Sequence, residues 1–481
     1  MQSSIGFPKE LQNEIDMSLP PGVSSYAVKV LPSNVSQVQS ATQTLTASST
    51  LQLNGTSSNV IFDIPAGQGK GKFIDPRFST LSFRVNYEIV NTPSAAIISN
   101  AQLRGGAHSH WDRCYIQSQN GVVLDDVNNF GLVQDMLTQL EIDVAQKDSL
   151  AAMYGFQFET QSSGLNVNQG HVLRNIDGAT LAAASSNYYS YAIPLMSSLI
   201  GKGARKYFQI GATSKLQLVL QSSAIIPITF VTSTATTQAT FRITIDNMSL
   251  DLQYIDIGDE GVKMLGKSGL QYYDGTSYRV SSATLPSTAG TVSLLTGLRG
   301  SSVRALFMRC TEASTLSTAG CINQIYDSKM PQATSVAWNL NGLVVPSNPV
   351  DFMRNPALTM SYTQEANASF NTHEFKSGLV PSRYFVYVPS ATTVAADTDQ
   401  VVLAAGTATS VASQSQFLWG YNLEKISKFG LMSGANLNSG NAFLNMTLAN
   451  ASSNTLTFFF IAKQDIIYVH DTETGSLESR L

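Results

Sequence analysis

Leu81, Phe83, Val85, Tyr87 and Ile89 alternate with Ser82, Arg84, Asn86 and Glu88. That period of two is the mark of a strand with one face in a core and the other in water. Phe241, Ile243 and Ile245 alternate in the same way, but Met248, Leu250, Leu252 and Tyr254 continue on the opposite parity. A one-residue change of phase turns an apolar set to the wrong face unless an extra residue is absorbed, so a β-bulge or break is predicted at Asn247-Met248. Val336, Trp338 and Leu340 share one parity, which places Trp338 inward on its strand as Phe83 is on its own. One segment departs from this period. Val127, Phe130, Val133, Met136, Leu137, Leu140 and Val144 recur at spacings of three and four and predict a helix lying on a sheet or closing its end.

The pattern also recurs at long range. A strand-like run through Tyr115 to Gln119 turns at Asn120-Gly121 and resumes with Val122, Val123 and Leu124 before Phe130. About half a chain later, Val336 to Leu340 turns at Asn341-Gly342 and resumes with Leu343, Val344 and Val345 before Phe352. Each half closes alike, with Asp251 to Ile255 ahead of the acidic Gly258-Asp259-Glu260 and Asp465 to Val469 ahead of Asp471-Thr472-Glu473. A repeat this long is a whole domain rather than a solenoid unit. We therefore expect an arm over 1–40, one β-domain over 41–260, a second over 261–471, and a short tail over 472–481. In the arm, Leu11 and Ile15 fit a short helical stretch that Pro20-Pro21 must end. The long, mixed stretch from Gly155 to Gly203 is expected as a surface excursion with loops at Ser163-Gly164, Asn168-Gln169-Gly170 and Ala182 to Asn187, and the Ser/Thr/Ala-rich segments Ala313 to Cys321 and Ser390 to Ser415 as exposed crowns or interface loops.

A chain of 481 residues suits two such domains, and only 13% of it is charged, the polar remainder being rich in turn and strand formers. The formal net charge of −4 argues against a surface that neutralises nucleic-acid phosphates, so no direct sequence-specific nucleic-acid binding is expected. Cys114, Cys310 and Cys321 show no metal-type pairing and read as reduced, mostly buried thiols. Residues 1–10 lack a basic region followed by an apolar core, so no secretory signal is recognised. The longest apolar runs, Ala224 to Val231 and Thr455 to Ala462, are shorter than a membrane-crossing helix needs. Together these features predict a soluble chain made in a reducing cytoplasm or nucleus.

Candidate chemistry is thin. His108-Ser109-His110 has a chelating spacing along a strand, but no third ligand lies nearby, and a surface or loop position that tolerates replacement is expected. Gly67-Gln68-Gly69-Lys70-Gly71-Lys72 lacks the ending of a phosphate loop and reads as a turn between strands. Asp397-Thr398-Asp399 lacks the glycine and distal glutamate of a calcium loop. There is no nucleophile elbow, and the five histidines, His108, His110, His171, His373 and His470, assemble no evident triad. Asp125-Asp126 is expected to cap the helix that follows, and sequons such as those at Asn34, Asn54 and Asn445 are expected by chance in an Asn/Ser/Thr-rich chain. No catalytic, cofactor-binding or metal-binding residue is assigned, and no cofactor or enzymatic activity is expected.

The run His110-Trp111-Asp112-Arg113-Cys114-Tyr115-Ile116-Gln117, then Asn120 to Asp126, then the helix through Leu140, resembles the first jelly roll of double jelly-roll major capsid proteins. These build the shells of icosahedral double-stranded DNA viruses such as virophages, polinton-like viruses, tectiviruses and nucleocytoplasmic large viruses. Asn341-Gly342 with Pro346-Ser347-Asn348-Pro349 is similar to the matching place in the second jelly roll. The resemblance implies an all-β fold of two consecutive eight-stranded antiparallel jelly-roll sandwiches with a few short helices in loops. It also implies a structural protein of the virion, assembled in host cytoplasm or nucleus, whose homotrimers form pseudo-hexagonal, hexon-like capsomers. Its partners would be itself, neighbouring capsomers, penton and minor capsid proteins, with an internal membrane as a further candidate. A β-sandwich spike binding a receptor or carbohydrate is the alternative reading.

Overall fold

The structure, a computed structural model, describes residues within 39–258, 269–368, 417–424 and 434–480. Shorter breaks fall at 47–50, 54–56, 68, 92–100, 143–149, 151–152, 156–169, 173–185, 225–227, 231–239, 313–324, 327 and 453–454. The first lobe runs β1 (Gln39–Thr46), β2 (Leu51–Leu53), β3 (Asn59–Ile64), β4 (Lys72–Asn91), β5 (Ala101–Arg104), β6 (Trp111–Ser118) and β7 (Val123–Asn128). It continues through α1 (Phe130–Glu141), β8 (Gly170–Val172), β9 (Ser186–Pro194), β10 (Leu216–Ser222), β11 (Ile228–Phe230) and β12 (Thr240–Asp256). The second runs β13 (Leu270–Leu285), β14 (Gly290–Leu295), β15 (Val303–Glu312), β16 (Ala333–Leu340), β17 (Leu343–Val350), α2 (Pro356–Ala368), β18 (Trp419–Asn422), β19 (Ala442–Leu448), β20 (Leu456–Asp471) and β21 (Leu477–Arg480).

Two sheets face each other in each lobe. In the first they are ordered β1-β12-β4-β9 and β3-β10-β6-β7, and in the second β13-β20-β15-β18 and β14-β19-β16-β17. Counting the eight sandwich strands of each lobe in chain order, both lobes read 1-8-3-6 and 2-7-4-5, which is the jelly-roll arrangement written twice. A helix follows the fifth of these strands in each copy. The first lobe adds a small sheet, β11-β5-β8, that has no counterpart among the described residues of the second.

The alternation in β4 is real: Leu81, Phe83, Val85 and Tyr87 are buried while Ser82, Arg84 and Asn86 are half-exposed. In β12 the pairing register with β4 shifts between Asp246 and Ser249, and Asn247 takes a left-handed φ of 49°. The extra residue lets Ile243 and Ile245 before it, and Met248, Leu250, Leu252 and Tyr254 after it, all face the core. The two Asn-Gly turns join β6 to β7 and β16 to β17. In the second, Asn341 (φ 54°) and Gly342 (φ 90°) form a two-residue hairpin loop, whose left-handed pair suits the strand twist.

Several expectations are corrected. The helix begins at Phe130, because Val127 belongs to β7, and Val144 lies outside the described residues. Asp125 and Asp126 also lie in β7, and the residue before the helix is Asn129, in a left-handed conformation with no side-chain cap. The stretch around Ala182 to Asn187 is not all loop, since β9 starts at Ser186 and supplies an edge strand of the sandwich, paired with β4. Residues 472–480 carry β21, which folds back on β20. The arm up to residue 38, the linker at 259–268 and the loops at 313–321 and 390–415 lie outside the described residues, as do Cys321, His373, Asp397 and Asp399.

Candidate functional site: the seam between the lobes

The lobes are joined through backbone as well as side chains. Ala204 and Gly275 form an antiparallel bridge, and the Thr276 N–H donates to the Gly203 carbonyl at 2.8 Å. A Cβ on Gly275 would stand 2.2 Å from the Ser198 carbonyl oxygen, so only glycine lets the chains approach this closely. Gly131 serves α1 likewise, because a Cβ there would meet the Tyr326 hydroxyl of the second lobe at 2.4 Å.

Buried polar groups fasten the seam. Asp125 accepts from the Ser198 N–H at 2.9 Å and from the Ser277 hydroxyl at 2.8 Å, one partner from each lobe. Ser198 in turn shares a hydrogen bond with the Tyr468 hydroxyl. Arg309, fully buried on β15, donates to Asp135 of α1 at 2.7 Å and to the Tyr326 carbonyl at 2.8 Å, and Gln139 also donates to Asp135. Nearer the surface, Arg205 of the first lobe pairs with Asp274 at 3.0 Å and Asp465 at 2.9 Å. The helices touch as well, Asn367 donating to the Leu140 carbonyl.

The histidine pair is neither on a strand nor on the surface. His108 and His110 sit on a 3-10 turn, Ala107–His110, with 1% and 0% exposure. Gly105 and Gly106, both at positive φ, lead the chain into this turn and carry both rings inward. His110 Nε2 shares a 2.8 Å hydrogen bond with the Tyr87 hydroxyl, and its Nδ1 meets the Ala107 carbonyl at 2.9 Å. The expected tolerance of replacement is therefore withdrawn.

Burial holds His108 down to about 3 and His110 to about 4. Unfolded, both rings take protons below about 6.5, so the stability they confer is complete above that pH and is lost as the pH falls toward 4, by about 1.4 kcal/mol per pH unit for each ring. Glu424 works in the opposite direction over part of this window, because burial raises its carboxyl to about 7 and acidification favours its folded form. The comparison that isolates the histidines is the melting temperature of wild type against His108→Gln with His110→Gln between pH 7 and 4.5. The variant should be less stable at pH 7 and show a flatter acid slope. Parallel slopes would show that the rings are not held neutral.

Cys114 and Cys310 are buried and form no disulfide among the described residues. Gly67 to Lys72 joins β3 to β4. His171 lies on β8, and His470 is buried on β20, where burial lowers its pKa. Among the described residues no group of three His, Cys, Asp or Glu side chains could hold a metal, and no helix is long and apolar enough to cross a membrane.

Sequence reading missed the seam itself. The signal was Arg304 and Arg309 inside the otherwise apolar run from Val303 to Cys310, and Lys463-Gln464-Asp465 directly after an apolar run.

Strand order, duplication and seam together define a double jelly roll. No family model and no curated protein matches the chain. Solved structures do, and those it resembles are double jelly-roll major capsid proteins. The mavirus major capsid protein aligns over 100% of this chain and 96% of its own at 10% identity and a TM-score of 0.50. The Faustovirus major capsid protein aligns over 95% and 96% at 12% and 0.50, and PBCV-1 VP54 over 92% and 97% at 11% and 0.52.

Proposed function

We propose that this chain is the major capsid protein of an icosahedral virus and that three copies form a pseudo-hexagonal capsomer. The observation that carries the reading is the repeated strand order of two lobes fixed side by side by a buried seam. A single chain then offers two similar edges. Three chains about a threefold axis offer six, which tile with near-sixfold packing while the block keeps closed symmetry. The likeness to major capsid proteins over nearly the whole length of both chains supports the same reading. The role is structural, with no reaction assigned, and the partners are further copies of the chain, pentons and minor shell proteins of the virion.

In this proposal residues 1–40 are an arm linking blocks, 41–260 and 261–471 are the two jelly rolls, and 472–481 close the chain. Electron microscopy of the full chain should show blocks with six similar lobes. Deleting residues 1–25 should leave those blocks intact and reduce shell formation, because the arm carries too few apolar residues to complete a core. Unfolding on that deletion would contradict the arm assignment. A two-lobed monomer that binds glycans would favour the spike reading instead.

A further inference from the structure

A cavity of about 480 Å³ opens along the seam, within the size range of small-ligand sites. Five cations line it, Arg77, Lys202 and Arg205 from the first lobe with Arg304 and Lys463 from the second beside them in the same cavity, against a single carboxylate, Glu141. Lys202 and Arg205 are exposed at its rim, whereas Arg304 and Lys463 are only 4% and 9% exposed and form its floor.

The carboxylates that balance several of these cations do not line the cavity. Asp75 holds Arg77 at 2.6 Å, Asp274 and Asp465 hold Arg205, and Glu424 approaches Arg304 at 3.1 Å, with Asp465 at 3.3 Å. The cationic member of each of these ion pairs lines the cavity and the carboxylate does not. The balance is weakened near neutral pH at Arg304, because burial raises its partner Glu424 to about 7. A low-dielectric recess lined mainly by one sign of charge concentrates ions of the other.

We propose that this cavity is an anion site taking a phosphate-bearing ligand, which both lobes grip at once. Guanidinium groups pair with phosphate oxygens through two parallel hydrogen bonds, and lysines add point charges. Beside it, sharing Arg77, Ala204 and Arg205, runs an apolar groove of about 690 Å³ walled by Phe73, Pro76, Tyr207, Ile255 and Ile257. The shared chemistry is the phosphate group, carried either by a free oligophosphate or by a lipid whose chains follow the groove. The proposal does not rest on the capsid reading, since it concerns one folded chain.

The test is thermal melting of the full chain with increasing pyrophosphate, or with dihexanoyl phosphatidic acid below its micellar concentration, against sodium chloride at matched ionic strength. A saturable rise in melting temperature with either phosphate, absent with chloride, is expected. Lys202→Glu, at an exposed position, should melt normally without ligand and weaken the apparent affinity by about tenfold or more, the effect of losing a charge-assisted contact and adding a repulsive charge. Lys202→Ala should fall between. Tighter binding of phosphatidic acid than of pyrophosphate would assign the lipid source, and equal or weaker binding the free phosphate. A rise no greater than that with chloride, or one unchanged in both Lys202 variants, would overturn the proposal.

Discussion

Arg309→Ala should cost the folded chain about 3–5 kcal/mol, because it strips the partner from a carboxylate that the fold has already taken out of water. Asp135 is 6% exposed and would be left with Gln139 as its side-chain donor among the described residues, while the Tyr326 carbonyl would lose its donor as well. Asp135→Ala should cost about as much by orphaning a fully buried guanidinium. Replacing both partners with apolar residues of similar size, Asp135→Leu with Arg309→Met, should recover much of the loss, since the penalty comes from the unpaired charge rather than from the missing attraction. Chemical denaturation of the four proteins measures this directly. Single variants within about 1 kcal/mol of wild type would mean that the seam is wetter than its burial indicates.

Trp338→Ala should be comparably damaging, at roughly 3–5 kcal/mol through lost burial and an unfilled cavity. The indole is 0% exposed, lies parallel to Trp419 with ring centres 5.4 Å apart, and meets the edge of Phe460 at 6.0 Å. Its Nε1–H has no hydrogen-bond partner among the described residues, so Trp338→Phe should cost far less than alanine. Phe83→Ala should behave like Trp338→Ala in the first lobe, where the ring packs edge-on against Trp111 at 5.4 Å and against Tyr191 and His110. Soluble yield and denaturation midpoint are the readouts. An alanine variant at either position as stable as wild type would place that ring outside the core.

These two sites mark what the sequence made legible. Phe83 and Trp338 declared themselves by parity, because a strand with one wet face must alternate, and the β12 bulge followed from the same rule once the parity slipped at Asn247. The repeat was visible because hairpin turns restrict residue choice, so Asn-Gly marks the same connection in both lobes. Seam residues obey no local period. Asp125 and Asp126 have the local look of a helix cap, and only the approach of Ser198 and Ser277 from distant parts of the chain makes Asp125 a junction instead. Asp126 pairs across the hairpin with Arg113 at 2.8 Å. The buried histidines were misread for a related reason, since a short 3-10 turn has no periodicity to say which way its side chains point.

The central claim is that this two-lobed chain works as a threefold block, and its most direct test is the mass of the purified full-length protein at nanomolar concentration. The account predicts one species at about three times 51.7 kDa that persists on dilution, because in the proposed block the edge strands of each lobe are covered by further copies. A stable, folded species at 51.7 kDa under those conditions would contradict it.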